Sequence, residues 1–301
     1  MTMQSPEERP CPVCGKRDCA LFMESTVDDK KYSKYTYASR KEPEFMNHRY
    51  VRCLCCQTVY APVPPTSEFL AEAYTDAGYD SGEEAWCAAK TYARILKPFW
   101  KKFPLKNCAV DVGAGNGALL PAFKEAGFAE ALGIEPSKHA INAAPVEIQP
   151  FLINGMFSRD MLAGKKVSFI CSFQTLEHLR DPFDFMQTAY DLLEPGGAVA
   201  IIVHNYRSVV NRLLGRRSPI IDVEHLQIFC PAAIEALFAR CGFKTHRIKA
   251  FCNAYPVKYW LRLSSLPAGM KSALNKALLK TGAGSINIPV NVGNILAIGI
   301  K

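Results

Sequence analysis

No apolar stretch of the chain approaches the roughly 20 residues that a membrane-spanning helix needs, and residues 1–10 do not run from basic to apolar as a secretory leader does. The expected compartment is therefore the cytoplasm. Internal repeats and low-complexity tracts are missing as well. No dense block of one charge is seen: 36 Lys and Arg face 28 Asp and Glu, for a formal charge of +8, and the basic residues run along the whole chain. That dispersal argues against nucleic acid as a partner, although the sign permits attraction to phosphate-bearing molecules. What is present is apolar material, 49% of 301 residues, ample for a packed core.

Twelve cysteines in a chain with no leader point to reduced thiols, and four of them form two CxxC pairs. Cys11-Pro-Val-Cys14 turns two thiolates toward one ion, and Cys53-Leu-Cys-Cys56 repeats the spacing after a gap of 38 residues. Cys11, Cys14, Cys53 and Cys56 together supply a tetrahedral, closed set of sulfur ligands for structural zinc. Cys55 competes with Cys53 for the register, and Cys53 is preferred because the second pair then mirrors the first. The alternative is two chance pairs of buried or redox-active thiols.

The pattern divides the chain into a small zinc-binding module at 1–62, connecting helices at 63–103 and a core at 104–301. Ala61-Pro-Val-Pro-Pro65 is a stiff boundary. In the core, short apolar runs at 108–112, 131–134, 151–153, 167–172 and 198–203 alternate with helical spacing at 117–126, 137–143 and 182–193. Glu194-Pro-Gly-Gly197 reads as a turn, and two late strands are expected at 243–250 and 294–300. This is the signature of an α/β fold, a Rossmann-like open sheet with helices on both faces, whose strand ends line one ligand-binding edge. A loop at 204–230 and a helical insertion at 251–290 complete the outline.

The first strand runs straight into Gly113-Ala114-Gly115-Asn-Gly117 and then into a helix, so backbone can approach a ligand closely at the helix's amino end. Asp111 precedes the glycines, where its carboxylate could pair with an ammonium group. Glu135 ends the second strand, where a carboxylate can accept both hydroxyls of a ribose.

Val110-Asp-Val-Gly-Ala-Gly-Asn-Gly117, Ile134-Glu-Pro-Ser137, Phe173-Gln-Thr-Leu-Glu-His178, Asp181-Pro182 and Leu193-Glu-Pro-Gly-Gly197 occur in that order. This set resembles the class I S-adenosylmethionine-dependent methyltransferases. The resemblance implies a mixed, seven-stranded sheet with an antiparallel last strand. It assigns the methionine part to the glycine turn, the ribose to Glu135, the adenine to Asn154 or Gly155, and Phe173 and Gln174 to the same cofactor wall. Ile153-Asn-Gly-Met156 stands in place of the family's usual Gly-Asp.

A zinc module ahead of such a core is similar to the sugar C-methyltransferases, and Tyr79 lies where that group carries a tyrosine-rich segment. This chain stops at the last strand of the core, where those enzymes continue. The favoured acceptor is a small molecule, a sugar or polysaccharide precursor. The alternatives are an RNA methyltransferase and a non-catalytic zinc-dependent binding protein. The chain has no Asn-Pro-Pro-Tyr-like motif for base nitrogens, and its intact glycines and Glu135 argue for a retained cofactor.

Three residues are candidates for the proton-handling chemistry: His178 after the fourth strand, His225 in Glu224-His-Leu-Gln-Ile-Phe229, and Tyr79. Each histidine has an equally simple structural role, as a helix start or a loop anchor. His204 is placed at the substrate cleft. Between 259 and 280, leucines and lysines at helical spacing fit an amphipathic cap that buries its apolar face on the core. A membrane-surface role is the less favoured reading.

Overall fold

The computed structural model describes residues 8–33, 35–38, 43–79, 81–264 and 266–301. Asp80, within the tyrosine-rich segment, lies outside them. Three short strands open the chain: β1 (Cys19–Met23), β2 (Tyr50–Cys53) and β3 (Val59–Tyr60). Helices α1 (Ser67–Thr75) and α2 (Gly82–Trp100) follow. Thr66 starts α1 by accepting from the Phe69 N–H.

The core then alternates as the apolar runs predict: β4 (Cys108–Val112), α3 (Leu120–Glu125), β5 (Glu130–Glu135), α4 (Lys138–Asn142), β6 (Leu152–Asn154), β7 (Val167–Phe173), α5 (Pro182–Leu192) and β8 (Leu193–His204). Every residue of β4 and β7 is buried, as in a parallel strand covered on both faces. Asp181 caps α5 by accepting from the Phe183 and Asp184 N–H groups, with Pro182 at the first helical position. The expected turn at 194–197 lies within β8, which is 12 residues long. Pairing of Lys301 with Gly196 and Gly197 draws that stretch into the sheet.

Beyond β8 come α6 (Val209–Leu214), β9 (Gln227–Ile228), α7 (Pro231–Cys241), β10 (Lys244–Ala250), β11 (Asn253–Pro256), α8 (Val257–Leu263), α9 (Ala268–Thr281), β12 (Asn287–Val290) and β13 (Asn294–Ile300). The main sheet has seven strands in the order β10-β13-β8-β7-β4-β5-β6. β13 runs antiparallel to both its neighbours, and β4 through β8 are parallel. The chain steps outward from β4 to β5 and β6, then returns to β7 on the other side of β4. The crevice at these strand ends is where open α/β sheets take ligands.

Each face of the sheet carries its own core. One joins Val110, Ile170 and Val199 to α5 and α7. The other joins Phe169 and Ala109 to an aromatic group of Trp100, Phe103, Phe123 and Phe128. The second sheet has the order β1-β2-β3-β9. Its fourth strand comes from the segment after β8, so the cysteine-bearing strands share a sheet with the loop that carries His225. Half-buried Arg9 adds to that junction, donating to the carbonyls of Ala61 and Leu226 and to Gln227 Oε1.

Candidate functional site

The glycine turn leaves β4 and is hooked at once to the end of β5, with the Gly113 and Ala114 N–H groups donating to the Ile134 carbonyl. Glu135 completes the link. Its Oε2 accepts from the Gly115 N–H at 2.7 Å and its Oε1 from the Ser137 N–H at 2.8 Å. Gly113 has φ +80°, and a Cβ there would sit 2.4 Å from Thr175 Oγ1. Gly117 is required by packing, since a Cβ would meet Ile148 at 2.5 Å. Gly115 has more room, and its nearest neighbour is the ring of Tyr79 at 3.9 Å.

A cavity of about 540 Å³ with mostly apolar walls begins at this turn. Gly113, Gly115, Glu135, Gly155, Phe173, Gln174 and Tyr79 line it; Asp111, Ala114, Gly117 and Asn154 stand behind its wall. Asp111 is buried and accepts from the Cys171 thiol at 3.2 Å. The Asn154 amide donates to the carbonyls of Glu135 and Pro136, so that side chain braces the turn after β5. Gln174 holds a left-handed backbone, φ +55°, at the end of β7. Its N–H donates to Ile202 and its side-chain oxygen accepts from the Tyr92 hydroxyl.

The other end of the cavity gathers three histidines from distant parts of the chain. The rings of His178 and His225 are 4.9 Å apart and those of His204 and His225 are 5.3 Å apart. Glu224 stands between the first two, its carboxylate oxygens 3.8 Å from His178 Nδ1 and 3.9 Å from His225 Nε2. His225 Nδ1 lies 2.9 Å from the Ile220 carbonyl, which can only accept. The proton therefore sits on Nδ1, and Nε2 is the basic nitrogen on the Glu224 side. His204 is held by Asn294 Oδ1 at 2.7 Å, and burial pulls its pKa down to about 4. Tyr74 meets the His178 ring edge-on. Tyr79 belongs to the glycine end, against Gly115.

Beneath the histidines lies Glu177, which motif reading did not single out. It is fully buried, its Oε1 accepts the His204 N–H at 2.6 Å, and its Oε2 has no partner. Burial pushes its pKa up to about 8, so it is protonated at neutral pH. Thr175 and Glu224 lie within the motifs read for His178 and His225, Tyr74 opens the tyrosine-rich segment and Asn294 begins the last strand, but none of the four is a candidate on sequence alone. Only their tertiary neighbours distinguish them from ordinary polar residues.

Away from the cavity, the Sγ atoms of Cys11, Cys14, Cys53 and Cys56 all lie within 4.8 Å of one another, with Cys11 to Cys56 and Cys14 to Cys53 each 3.5 Å. These separations exceed a disulfide bond and suit four sulfurs around one ion. The Cys11 thiol lowers the pKa of Cys56 to about 5, which favours a thiolate. Cys55 is exposed and stands outside the group.

A family model described as a methyltransferase domain matches residues 85–248, more than half of the chain. No curated protein matches. Among solved structures, a SAM-dependent methyltransferase from Archaeoglobus fulgidus is 17% identical over 78% of this chain and 100% of that one, with a TM-score of 0.47. A SAM-dependent methyltransferase from Thermotoga maritima is 16% identical over 73% of this chain and 93% of its own, at 0.45. Geranyl diphosphate C-methyltransferase from Streptomyces coelicolor A3(2) is 15% identical, covering 70% of this chain and 78% of its own, at 0.45. Together with a glycine turn at the switch point of a seven-stranded sheet, the family match settles the assignment: the chain belongs to the methyltransferase-domain family of S-adenosylmethionine-dependent enzymes.

Proposed function

We propose that the chain methylates a small acceptor of the sugar or polysaccharide-precursor class, bound in the cavity between the glycine turn and the histidine cluster. The observation that carries this reading is the cavity's polarity in space. A backbone cradle and a carboxylate stand at one end, and His178, Glu224 and His225 at the other. When bound, S-adenosylmethionine supplies an electrophilic methyl group. Gly113 and Gly115 offer the close backbone approach. Glu135 already accepts two N–H bonds and keeps further acceptor capacity for ribose hydroxyls. Gly155, Phe173 and Gln174 form the adjoining wall, with Asp111 and Asn154 bracing it from behind. Tyr79 covers the turn.

His225 is the favoured proton acceptor, because Ile220 fixes its tautomer and Glu224 stabilises the imidazolium that forms. His178 shares that carboxylate and orients it. Cys11, Cys14, Cys53 and Cys56 hold a structural zinc that stiffens the second sheet. Calorimetric titration with S-adenosylmethionine, followed by turnover on a panel of nucleotide-linked and lipid-linked sugars, tests the reading. Saturable binding and methylation of at least one such acceptor are expected; no saturable cofactor binding would refute it.

A further inference from the structure

The cavity opens between two segments that carry charge of a single sign. Residues 205–217 hold Arg207, Arg212, Arg216 and Arg217 and no acid, and residues 236–301 hold ten Lys and Arg and no Asp or Glu. The basic residues are dispersed along the chain, but the acids are not, and their absence here concentrates the excess of +8. Val210, Leu214 and Arg217 of the first segment and Leu263, Ser264 and Leu266 of the second line the cavity, and Leu214, Arg217 and Leu266 among them reach solvent. A second hollow between Arg216, Arg217 and Lys271 adjoins it. Lys258 and Arg262 pair with Glu83 and Glu84 of α2. Among the described residues Arg212, Arg216, Arg217, Lys276 and Lys280 form no ion pair.

Helix α9 departs from the sequence expectation. Its spacing predicts a cap that buries its apolar face, yet none of its residues is buried. Leu278 faces inward toward Gly284, and Lys271 Nζ donates to the Arg262 carbonyl. The outward stripe consists of Met270, Leu274 and Ala277, one helical turn apart, flanked by Lys276 and Lys280. Met270 and Leu274 are 51% and 44% exposed, and across the mouth α6 exposes Val209 and Leu213 at 74% and 82%. Aliphatic side chains set among basic ones, on two segments that themselves carry no acid, match helices that lie in the headgroup region of an anionic bilayer. RNA phosphates would use the lysines and arginines but not the leucines, and α6 and α9 carry no aromatic ring for stacking bases.

We propose that α6 and α9 dock the protein on an anionic lipid bilayer, with the cavity mouth facing the lipid, so that the acceptor carries a lipid chain and enters from the membrane. The statement about the acceptor rests on the proposed methyl transfer; the docking does not.

The test is co-sedimentation of the full chain with phosphatidylcholine vesicles, with and without about 30% phosphatidylglycerol. Partitioning is expected to be at least about tenfold stronger with phosphatidylglycerol and to fall in high salt. The double variant Met270→Glu/Leu274→Glu should abolish it, and Lys276→Gln/Lys280→Gln should weaken it about twentyfold. All four side chains face solvent, so circular dichroism and S-adenosylmethionine binding should not change. Absence of sedimentation with either vesicle, or equal sedimentation of Met270→Glu/Leu274→Glu, overturns the docking. Preference for single-stranded RNA over the vesicles overturns it too. Loss of cofactor binding by the unaltered protein would refute methyl transfer and leave the vesicle result readable.

Discussion

The Tyr50 hydroxyl lies 2.7 Å from the carbonyl of His225 and 2.9 Å from that of Asp222, joining the strand that ends in Cys53 to the backbone of the favoured base. The phenol is fully buried and its pKa is driven well above the ordinary value, so it remains a donor at all physiological pH. Tyr50→Phe leaves two buried carbonyls without that donor, at a cost of about 1–3 kcal/mol. Turnover should fall with it, while zinc content and cofactor affinity stay unchanged. Thermal denaturation and steady-state kinetics check this. An unaltered melting temperature would show that the hydroxyl does not hold the loop.

The two CxxC pairs predict one zinc per chain by elemental analysis. Cys14→Ser or Cys56→Ser should lose the metal and most of the folded protein, because a four-sulfur site contributes directly to folding. Cys55→Ser should keep it, since Cys55 stands outside the cluster. Zinc loss in Cys55→Ser together with retention in Cys53→Ser would reverse the register.

Glu135→Ala frees the Gly115 and Ser137 N–H groups and removes the proposed ribose acceptor, so the Kd for S-adenosylmethionine should rise about tenfold or more. Gly113→Ala should do at least as much damage. The new Cβ collides with Thr175 and the φ of +80° is strained for any side chain, at about 1–3 kcal/mol. Calorimetry on both variants decides, and an unchanged Kd for Glu135→Ala would remove that residue from the site.

Buried Glu177 makes stability depend on pH in a definite direction. Its pKa is about 8 when folded against 4.5 as the ordinary value, so between those limits the folded state binds a proton that the unfolded state has released. Its contribution is complete below pH 4.5, declines as pH rises, and is lost by about pH 8. His204 works oppositely: at about 4 when folded it stays neutral, so stability falls as pH drops from 6.5 toward 4. Glu177→Gln should remove the decline between about pH 4.5 and 8, most plainly from pH 6.5 to 8 where His204 no longer opposes it, and should steepen the fall of stability toward acid. Chemical denaturation across pH 5–9 measures this, and an unchanged slope would place the proton elsewhere.

His225→Asn should lower kcat about a hundredfold with little change in cofactor affinity. His178→Asn should cost less, since it reaches the chemistry through Glu224. Equal losses in the two would mean that the histidines act as one unit. No loss in either would leave the cluster a structural one.

The order of elements, the glycine turn and the cysteine spacing could be read from the sequence because each depends on neighbours close along the chain. Alternation of apolar residues sets strands and helices, glycine alone tolerates φ near +80° between β4 and its helix, and a CxxC pair closes within a single turn. What the chain alone could not reveal required distant residues to meet. Pairing of β3 with β9 ties the cysteine sheet to the loop of His225, and tertiary folding brings His178, His204 and His225 together with Glu224 beside the first and last of them. Burial then protonates Glu177, whose side chain would be charged in water. Packing also left α9 outside the core: amphipathic spacing says only that a helix has an apolar face, and the tertiary structure decides whether protein or another phase covers it.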